Sequence, residues 1–206
     1  MSGEGPTRRV GPWSVTRETP VYDNPWVSVI DHAVIHPNGS AGQYGVIRFK
    51  NRAVGVLPVD VDGSVWLVGQ HRFPLDAYSW ELPEGGAPLG EDPLAAARRE
   101  LREETGFTAQ TWLALSDFDL SNSVTDETAV CYLAADLSPG PAAPEPSEDL
   151  NLRRIFFNDL LHEVLTGRIR DSLTIVMTLT AYVKALRGEL PDAICGPILA
   201  ARPEAT

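Results

Sequence analysis

Cysteine is scarce in this chain, and its scarcity limits the kinds of fold and site that the sequence allows. The 206 residues include two cysteines, Cys131 and Cys195, which lie far apart and lack CxxC spacing. This argues against a disulfide framework or a zinc site and favours a reducing compartment, so we expect a cytoplasmic protein. We interpret both side chains as small buried hydrophobic groups.

Long apolar runs and basic clusters are also missing. The sequence contains no run of about 20 apolar residues and no basic segment followed by an apolar one at the N-terminus, so we expect neither membrane insertion nor secretion. The formal net charge is -11, and basic residues form only short pairs such as Arg8-Arg9. We therefore expect no nucleic-acid partner. A negatively charged substrate would have to be bound through metal ions and a few placed arginines.

The 43% hydrophobic content is sufficient for a substantial core. β-Branched segments at 13–19, 27–36 and 44–49, separated by turn residues, predict a small N-terminal antiparallel sheet. We divide the chain into an N-terminal β-sheet segment at 1–50, a main domain at 51–190 and a loosely ordered tail at 191–206.

The main domain alternates strands and helices. Apolar segments on either side of Asp62-Gly63 predict a β-hairpin formed by 53–58 and 64–70. Further along the chain, apolar periodicity predicts strands at 111–119, 129–136 and 150–156 and a helix at 158–166. A long helix follows, capped by Asp171 or Ser172 and extending through Arg187.

The stretch 85–107 carries the most informative pattern in the chain. Asp92 is a suitable N-cap with Pro93 behind it, and Gly106 is a suitable left-handed stop, so the spacing predicts a helix over 93–105.

Three carboxylates, those of Glu100, Glu103 and Glu104, share one edge of this predicted helix, within an arc of about 100°. The i,i+4 pair of like charges costs roughly 0.2–0.5 kcal/mol. A carboxylate in the last turn also opposes the helix dipole, at roughly 0.3–1 kcal/mol each. One interpretation is an acidic face in solvent, and the other is a site for divalent cations, which bind clustered oxygen ligands.

The residues around the helix resemble the complete signature of the Nudix hydrolases. The matching positions are Gly85, Glu91, Arg99, Glu100, Leu101, Glu103, Glu104, Gly106 and Phe107. The resemblance implies a loop-helix-loop that holds Mg²⁺, or Mn²⁺ as a second choice, and hydrolyses a diphosphate joined to another moiety. The glycines would let the backbone turn tightly beside the metal and the phosphates.

The same resemblance implies a role for each charged residue of the signature. Glu100 and Glu104 would bind the metal directly, and Glu103 would assist or bind a second ion. Arg99 would orient Glu103, and Glu91 would brace the loop and help to order the metal shell.

The preceding run, QHRFPLDAYSWELPEGG at 70–86, resembles the QYRYP...WELPAG run of the ADP-ribose pyrophosphatase branch of this family. In that branch Arg72 would contact a substrate phosphate, which suits its planar guanidinium, although a surface ion pair is the alternative. Glu81 would bind near a ribose or support the loop, and the backbone carbonyl of Glu84 would complete the metal shell.

The branch also carries an N-terminal sheet that joins two subunits, so we infer a homodimer by analogy. Trp13 and Trp26 are candidates for stacking on a base, and the alternative for both is a core or interface role. Glu127, in the polar loop at 121–127, is a candidate ribose contact. The loop has Ser121-Asn122-Ser123 in place of the Ser-Pro-Gly common in the ADP-ribose enzymes, which weakens the assignment of ADP-ribose as the sole substrate.

The helix supplies ligands but no spare base. In the family a glutamate on a loop often fills that role, and here the Pro-rich loop at 138–147 leads to Glu148, our first choice, and Asp149, our second. A solvated acidic pair is the alternative.

The sequence is thus interpreted as an α/β protein with a Nudix α/β/α sandwich, a mixed sheet and an N-terminal antiparallel sheet used for dimerisation. The expected reaction is Mg²⁺-dependent hydrolysis of a nucleoside diphosphate sugar such as ADP-ribose, giving a nucleoside monophosphate and a sugar phosphate. GDP-mannose, a dinucleoside polyphosphate or an oxidised nucleoside triphosphate stay open as substrates. A Nudix-like sensor that binds a nucleotide sugar without cleaving it is the alternative outside the enzymes.

Overall fold

The computed structural model describes residues 8–143 and 149–200. The chain forms two compact units. The first contains the described residues up to Asn51 together with Asp119–Thr128, and the second contains Arg52–Phe118 and the described residues from Ala129 onwards. Each unit is therefore built from two separate stretches of sequence.

The first unit contains the antiparallel sheet that the sequence predicts, with four strands in the order β1-β2-β3-β4. The turn before β3 is fixed by Asn24, whose side-chain oxygen accepts the backbone N–H groups of Trp26 and Val27 at 2.8 and 2.7 Å. The strands are β1 Arg8–Val10, β2 Trp13–Asp23, β3 Val27–Ile35 and β4 Ala41–Phe49.

In the described residues, the remaining elements include two sheets and four α-helices. A four-stranded sheet has the order β8-β5-β10-β9, and a three-stranded sheet has the order β11-β6-β7. The strands β5 and β10 run parallel, whereas β6 is antiparallel to both of its neighbours. The strands are β5 Asn51–Pro58, β6 Ser64–Arg72, β7 Ala77–Glu81, β8 Glu84–Pro88, β9 Phe107–Asp119, β10 Thr128–Pro139 and β11 Asn151–Phe156, and the helices are α1 Pro93–Thr105, α2 Phe157–Leu165, α3 Ser172–Leu186 and α4 Asp192–Leu199.

Helices cover both faces of the four-stranded sheet. Val54 and Val56 on β5 belong to the buried cluster that includes Leu101 of α1. Gly55, between them, faces the other way because side chains alternate along a strand, and a Cβ there would lie 2.8 Å from Cε of Met177 on α3. The mixed sheet with helices on both sides confirms the predicted α/β sandwich.

The hairpin predicted around Asp62-Gly63 is wrong as a pair of neighbouring strands. The turn itself forms, with Gly63 at φ 81°. The two strands share a single bridge, Val59 to Val65, and then enter different sheets. Both strands carry continuous runs of buried residues, so each needs packing on both faces, which a simple hairpin with one solvated face does not provide.

The predicted disorder of the C-terminal tail is wrong for Asp192–Leu199, which forms α4. Ile194 and Ile198 are one turn apart and 4% and 0% exposed, so an apolar edge holds the short helix in place despite Pro197 within it. No helix in the described residues is long and apolar enough to cross a membrane.

Candidate active site

Helix α1 begins and ends where its capping residues predict. The side chain of Asp92 accepts the backbone N–H of Leu94 at 3.4 Å, and Pro93 occupies the first helical position. Gly106 ends the helix at φ 76°, and its N–H is bonded to the carbonyl of Arg102 at 2.9 Å. The helix predicted over 93–105 is therefore confirmed.

The three glutamates of α1 lie at different depths. Ala97 and Leu101 are fully buried and hold the helix on the sheet, and Glu104, on the adjoining edge, is only 3% exposed. The side chains of Glu100 and Glu103 are 12% and 25% exposed. The helix therefore does not present these carboxylates as a solvated acidic face.

Gly85 allows Glu100 to approach the backbone of β8. A Cβ at position 85 would lie 2.2 Å from the carboxyl carbon of Glu100, much closer than any real contact. The absence of a side chain, more than backbone flexibility, thus explains why glycine is required here.

Arg99 joins the helix to the glycine-rich strand. Its Nη1 donates to Glu100 at 2.8 Å and to Glu103 at 3.1 Å, and its Nη2 donates to the carbonyl of Gly86 at 2.9 Å. The Glu91 carboxylate lies 3.7 Å from Nη2. Arg99 is therefore placed to hold two of the α1 carboxylates, and its roles and that of Glu91 stay predictions.

Glu84 contacts both α1 and the strand before it. Its backbone N–H donates to Oε2 of Glu104 at 3.1 Å. Its side chain accepts a bond of 2.7 Å from Nη2 of Arg72, whose Nε also donates to both oxygens of Glu81 at 3.0 Å. Arg72 is thus held between two carboxylates, and its predicted contact with a substrate phosphate is untested.

A third carboxylate, that of Asp171, completes this cluster. Glu81, Glu84 and Asp171 bring oxygens within 4.8 Å of one another. Oε2 of Glu84 is buried and has no hydrogen-bond partner among the described residues. Burial, with added repulsion from Asp171 and Glu81, raises the pKa of the Glu84 carboxyl well above its usual range.

Asp171 also caps a helix. Its Oδ2 accepts the backbone N–H of Thr174 at 2.7 Å at the start of α3. Burial raises the pKa of Asp171, and the bonds from Thr174 oppose that shift. The Thr174 hydroxyl in turn accepts the N–H of Leu82 at 2.8 Å, which ties the start of α3 to the turn between β7 and β8.

Of the two residues proposed as the base, Glu148 lies outside the described residues. Asp149 is described, and its side chain is exposed. Before this gap, Ala143 donates its backbone N–H to the carbonyl of Glu103 at 2.9 Å, so the chain leading towards Glu148 passes the end of α1.

Three residues that the sequence suggests as substrate contacts, Trp13, Trp26 and Glu127, belong to the first unit. Trp13 lies against Tyr44, with ring centroids 5.5 Å apart and nearly perpendicular, and lines a cavity of about 240 Å³. Burial raises the pKa of the Glu127 carboxyl. Trp26 is 66% exposed. Contacts of these residues with substrate stay predictions.

Comparison with known proteins identifies the family. A model of the NUDIX domain matches residues 49–173, more than half of the chain. The chain belongs to the Nudix hydrolase family. A second model, the nucleoside diphosphate sugar hydrolase N-terminal domain, matches residues 13–47.

Relatives of this Nudix hydrolase agree with the assignment. The chain is 34% identical over 140 residues to an ADP-ribose pyrophosphatase of Bacillus subtilis (strain 168), covering 67% of this chain and 75% of that protein. It is 30% identical over 189 residues to an ADP-sugar pyrophosphatase of Mus musculus, covering 84% and 87%. A crystal structure of an ADP compounds hydrolase superposes with a TM-score of 0.77 at 20% identity, covering 89% of this chain and 98% of that one, and shows the same fold.

The residues of the Nudix signature fit a divalent cation. Glu100 and Glu104 supply carboxylate oxygens on one edge of α1, and the space that a Cβ at Gly85 would fill holds the Glu100 carboxylate instead. Carboxylate oxygens are the hard donors that Mg²⁺ and Mn²⁺ prefer. A divalent cation would also offset the negative charge of these partly buried carboxylates.

Sequence reasoning missed Asp171 and the side chain of Glu84 as members of the site. Asp171 was interpreted only as a helix cap, and Glu84 only through its backbone carbonyl. The available signal for Glu84 was its position three residues after Glu81 in the WELPEGG run. Spacing along the chain does not indicate that α3 brings Asp171 to these two residues.

Proposed function

We propose that this Nudix hydrolase cleaves the diphosphate of a nucleoside diphosphate sugar such as ADP-ribose, giving a nucleoside monophosphate and a sugar phosphate. The observation that carries this proposal is the combination, in one chain, of the intact acidic helix with the N-terminal domain of nucleoside diphosphate sugar hydrolases. The activities that name two relatives, ADP-ribose pyrophosphatase and ADP-sugar pyrophosphatase, support the same class of substrate.

We further propose Mg²⁺ as the resident ion, with Mn²⁺ as a substitute. Glu100, Glu104, Glu103 and the carbonyl of Glu84 would hold it. When bound, the ion offsets negative charge on the diphosphate and makes an attacking water more acidic. Arg99 keeps the carboxylates of Glu100 and Glu103 in place, with bonds of 2.8 and 3.1 Å.

The remaining roles follow from charge and position. Arg72 is charged at every working pH, because burial lowers its pKa less than the bonds and charges of Glu81 and Glu84 raise it. A guanidinium held by the carboxylates of Glu81 and Glu84 is pre-ordered, which reduces the entropy lost when it binds a phosphate oxygen. Glu148, or failing it Asp149, would take the proton from the attacking water.

We also propose a homodimer formed through the N-terminal sheet. The first unit exposes large apolar side chains along this sheet, including Val21 at 64% and Tyr22 at 56%. Such a surface is typical of an interface. Light scattering after gel filtration tests the dimer, and a monomer at all concentrations would contradict it. The cytoplasmic location stays a prediction for cell fractionation.

The decisive test of function is a substrate panel. ADP-ribose, GDP-mannose, UDP-glucose, Ap4A and nucleoside triphosphates are incubated with the protein and Mg²⁺ or Mn²⁺, and products are identified by chromatography and phosphorus NMR. We expect the nucleoside diphosphate sugars to be cleaved at the diphosphate, with ADP-ribose giving AMP and ribose 5-phosphate. Cleavage of none of the diphosphate sugars would overturn the proposal and favour a binding protein.

A further inference from the structure

A cavity of about 410 Å³ lies beside helix α1, within the second unit. Three arginines line it, Arg98, Arg99 and Arg102, together with Thr108 and Trp112. None of its described lining residues is acidic. In a chain with a formal net charge of -11, three arginines around one cavity favour the binding of an anion there.

The cavity adjoins the carboxylate edge of α1 at Arg99, which bonds Glu100 and Glu103, whereas Arg98 and Arg102 extend from another side of the helix. Arg98 and Arg102 are one helical turn apart and share a face. At about 100° per residue, Glu100 points roughly 200° away from Arg98, towards the opposite side of the helix. A ligand in this cavity would therefore not compete for the ligands of a cation at Glu100 and Glu104.

Two of the three guanidinium groups are available to a ligand. Arg99 is occupied by Glu100, Glu103 and the carbonyl of Gly86. Among the described residues Arg98 makes no ion pair and no hydrogen bond, and Nη2 of Arg102 is 3.8 Å from the nearest Glu103 oxygen, beyond hydrogen-bonding distance.

Trp112 orders Arg98. The guanidinium carbon of Arg98 lies 5.6 Å from the centre of the Trp112 ring, within the range of a cation–π contact. The ring is itself fixed, since its Nε1 donates to the carbonyl of Ala109 at 3.0 Å and its edge meets Tyr132 with ring centroids 6.4 Å apart. A pre-ordered guanidinium loses less entropy on binding an anion than a free one.

We propose that this cavity binds a phosphomonoester through Arg98 and Arg102. The planar guanidinium group matches two oxygens of a phosphate, and two available guanidinium groups match the charge of a phosphate dianion. The volume is within the range of small-molecule sites and admits a nucleoside monophosphate or a sugar phosphate as well as inorganic phosphate. The site stands independently of the proposed diphosphatase activity.

Isothermal titration tests the proposal on the full chain, stripped of metal with a chelating resin so that cation-dependent binding at the catalytic helix is absent. Inorganic phosphate and AMP are the two probes. We expect binding at one site, weakened roughly tenfold or more in Arg98→Gln/Arg102→Gln, because two charge-assisted contacts are lost. The matched control Arg168→Gln/Arg187→Gln removes the same charge from exposed positions of the same unit and should change the affinity less than about twofold.

The outcomes separate the sources of the ligand. Tighter binding of AMP than of phosphate would assign the site to nucleotides, because the base would then add contacts beside Trp112. Equal affinity for the two probes would assign the site to the phosphate group alone. Absence of binding to the wild-type protein would overturn the proposal. So would equal weakening in the two double variants, which would indicate a general charge effect, or an unchanged affinity in Arg98→Gln/Arg102→Gln with its thermal unfolding intact.

Discussion

Replacing Glu84 by glutamine is expected to stabilise the metal-free protein. Glu84 lies among the oxygens of Glu81 and Asp171, all within 4.8 Å, and its Oε2 is buried without a hydrogen-bond partner in the part of the chain that the structure describes. Glutamine has the same shape, keeps an acceptor for Nη2 of Arg72, and places an amide donor where the unpaired oxygen lies. Glu84→Gln therefore removes a buried negative charge and gives the neighbouring carboxylates a hydrogen-bond donor.

The gain follows from the cost of the unpaired group. A buried polar atom without a partner costs about 1–3 kcal/mol, so we expect Glu84→Gln to raise the free energy of unfolding by about that amount at a pH above the raised pKa of the folded protein. For a chain of this size, each kcal/mol corresponds to about 2–4 °C in Tm, which gives a rise of roughly 2–12 °C.

The gain should depend on pH. Burial and then the charges of Asp171 and Glu81 raise the pKa of Glu84 above its ordinary value of 4.5, so the folded protein holds this proton more tightly than the unfolded chain. The wild-type protein therefore loses stability as pH rises from the unfolded pKa through the raised folded pKa. Glutamine does not titrate, so the advantage of Glu84→Gln should be small at acidic pH and grow across that window.

Thermal unfolding followed by circular dichroism, in resin-treated buffers of increasing pH, measures this difference. Glu163→Gln is a control of opposite sign, because Arg153 holds Glu163 with bonds of 3.0 and 2.7 Å and lowers its pKa. That variant should lose stability at neutral pH, and the loss should fade as pH falls. A lower Tm for Glu84→Gln at alkaline pH, or an advantage that does not change with pH, would refute the reasoning.

Three further changes test the helix and its neighbours. Glu104→Gln should lower the rate of diphosphate hydrolysis by roughly 100-fold or more and abolish the Tm rise produced by Mg²⁺. Near-normal turnover in excess Mg²⁺ would contradict the assignment of Glu104 as a metal ligand. Gly85→Ala would place a Cβ 2.2 Å from the carboxyl carbon of Glu100 and displace that flexible carboxylate. Steady-state assays should therefore show a lower turnover number, while Tm changes little. Full activity would contradict the importance of this close approach. Asp92→Ala loses the N-cap bond to Leu94 and should cost about 0.5–2 kcal/mol in chemical denaturation, whereas Asp92→Asn should retain most of the stability, and equal losses in both would argue against the cap.

Local signals predicted the central helix well. Asp92 and Gly106 determine the ends of α1 through bonds and a φ angle that involve only nearby residues. The alternation of apolar residues likewise predicted most strands of both units to within a few residues. Features of this kind depend on the chain within a few positions, which is the range over which sequence patterns carry information.

Long-range packing decided the features that the sequence did not predict. The turn at Gly63 was correct, but only the formation of two sheets explains why β5 and β6 separate after one bridge. Ile194 and Ile198 become a helix edge because they are buried in the folded unit. Asp171 reaches Glu84 because Thr174 ties α3 to Leu82, a contact between residues that are distant in sequence.

Glu84 connects the two halves of the candidate site through different atoms. Its backbone N–H binds Glu104, and its carboxylate binds Arg72 and faces Asp171. Glu84→Gln changes the carboxylate and leaves the backbone bond in place, whereas Glu104→Gln changes the side chain on α1 that accepts this bond. The two substitutions should therefore separate stability from catalysis. If the Glu84 variant also lost the response to Mg²⁺, the carboxylate cluster and the acidic helix would act as one cation site, and the ligand set would have to include the side chain of Glu84.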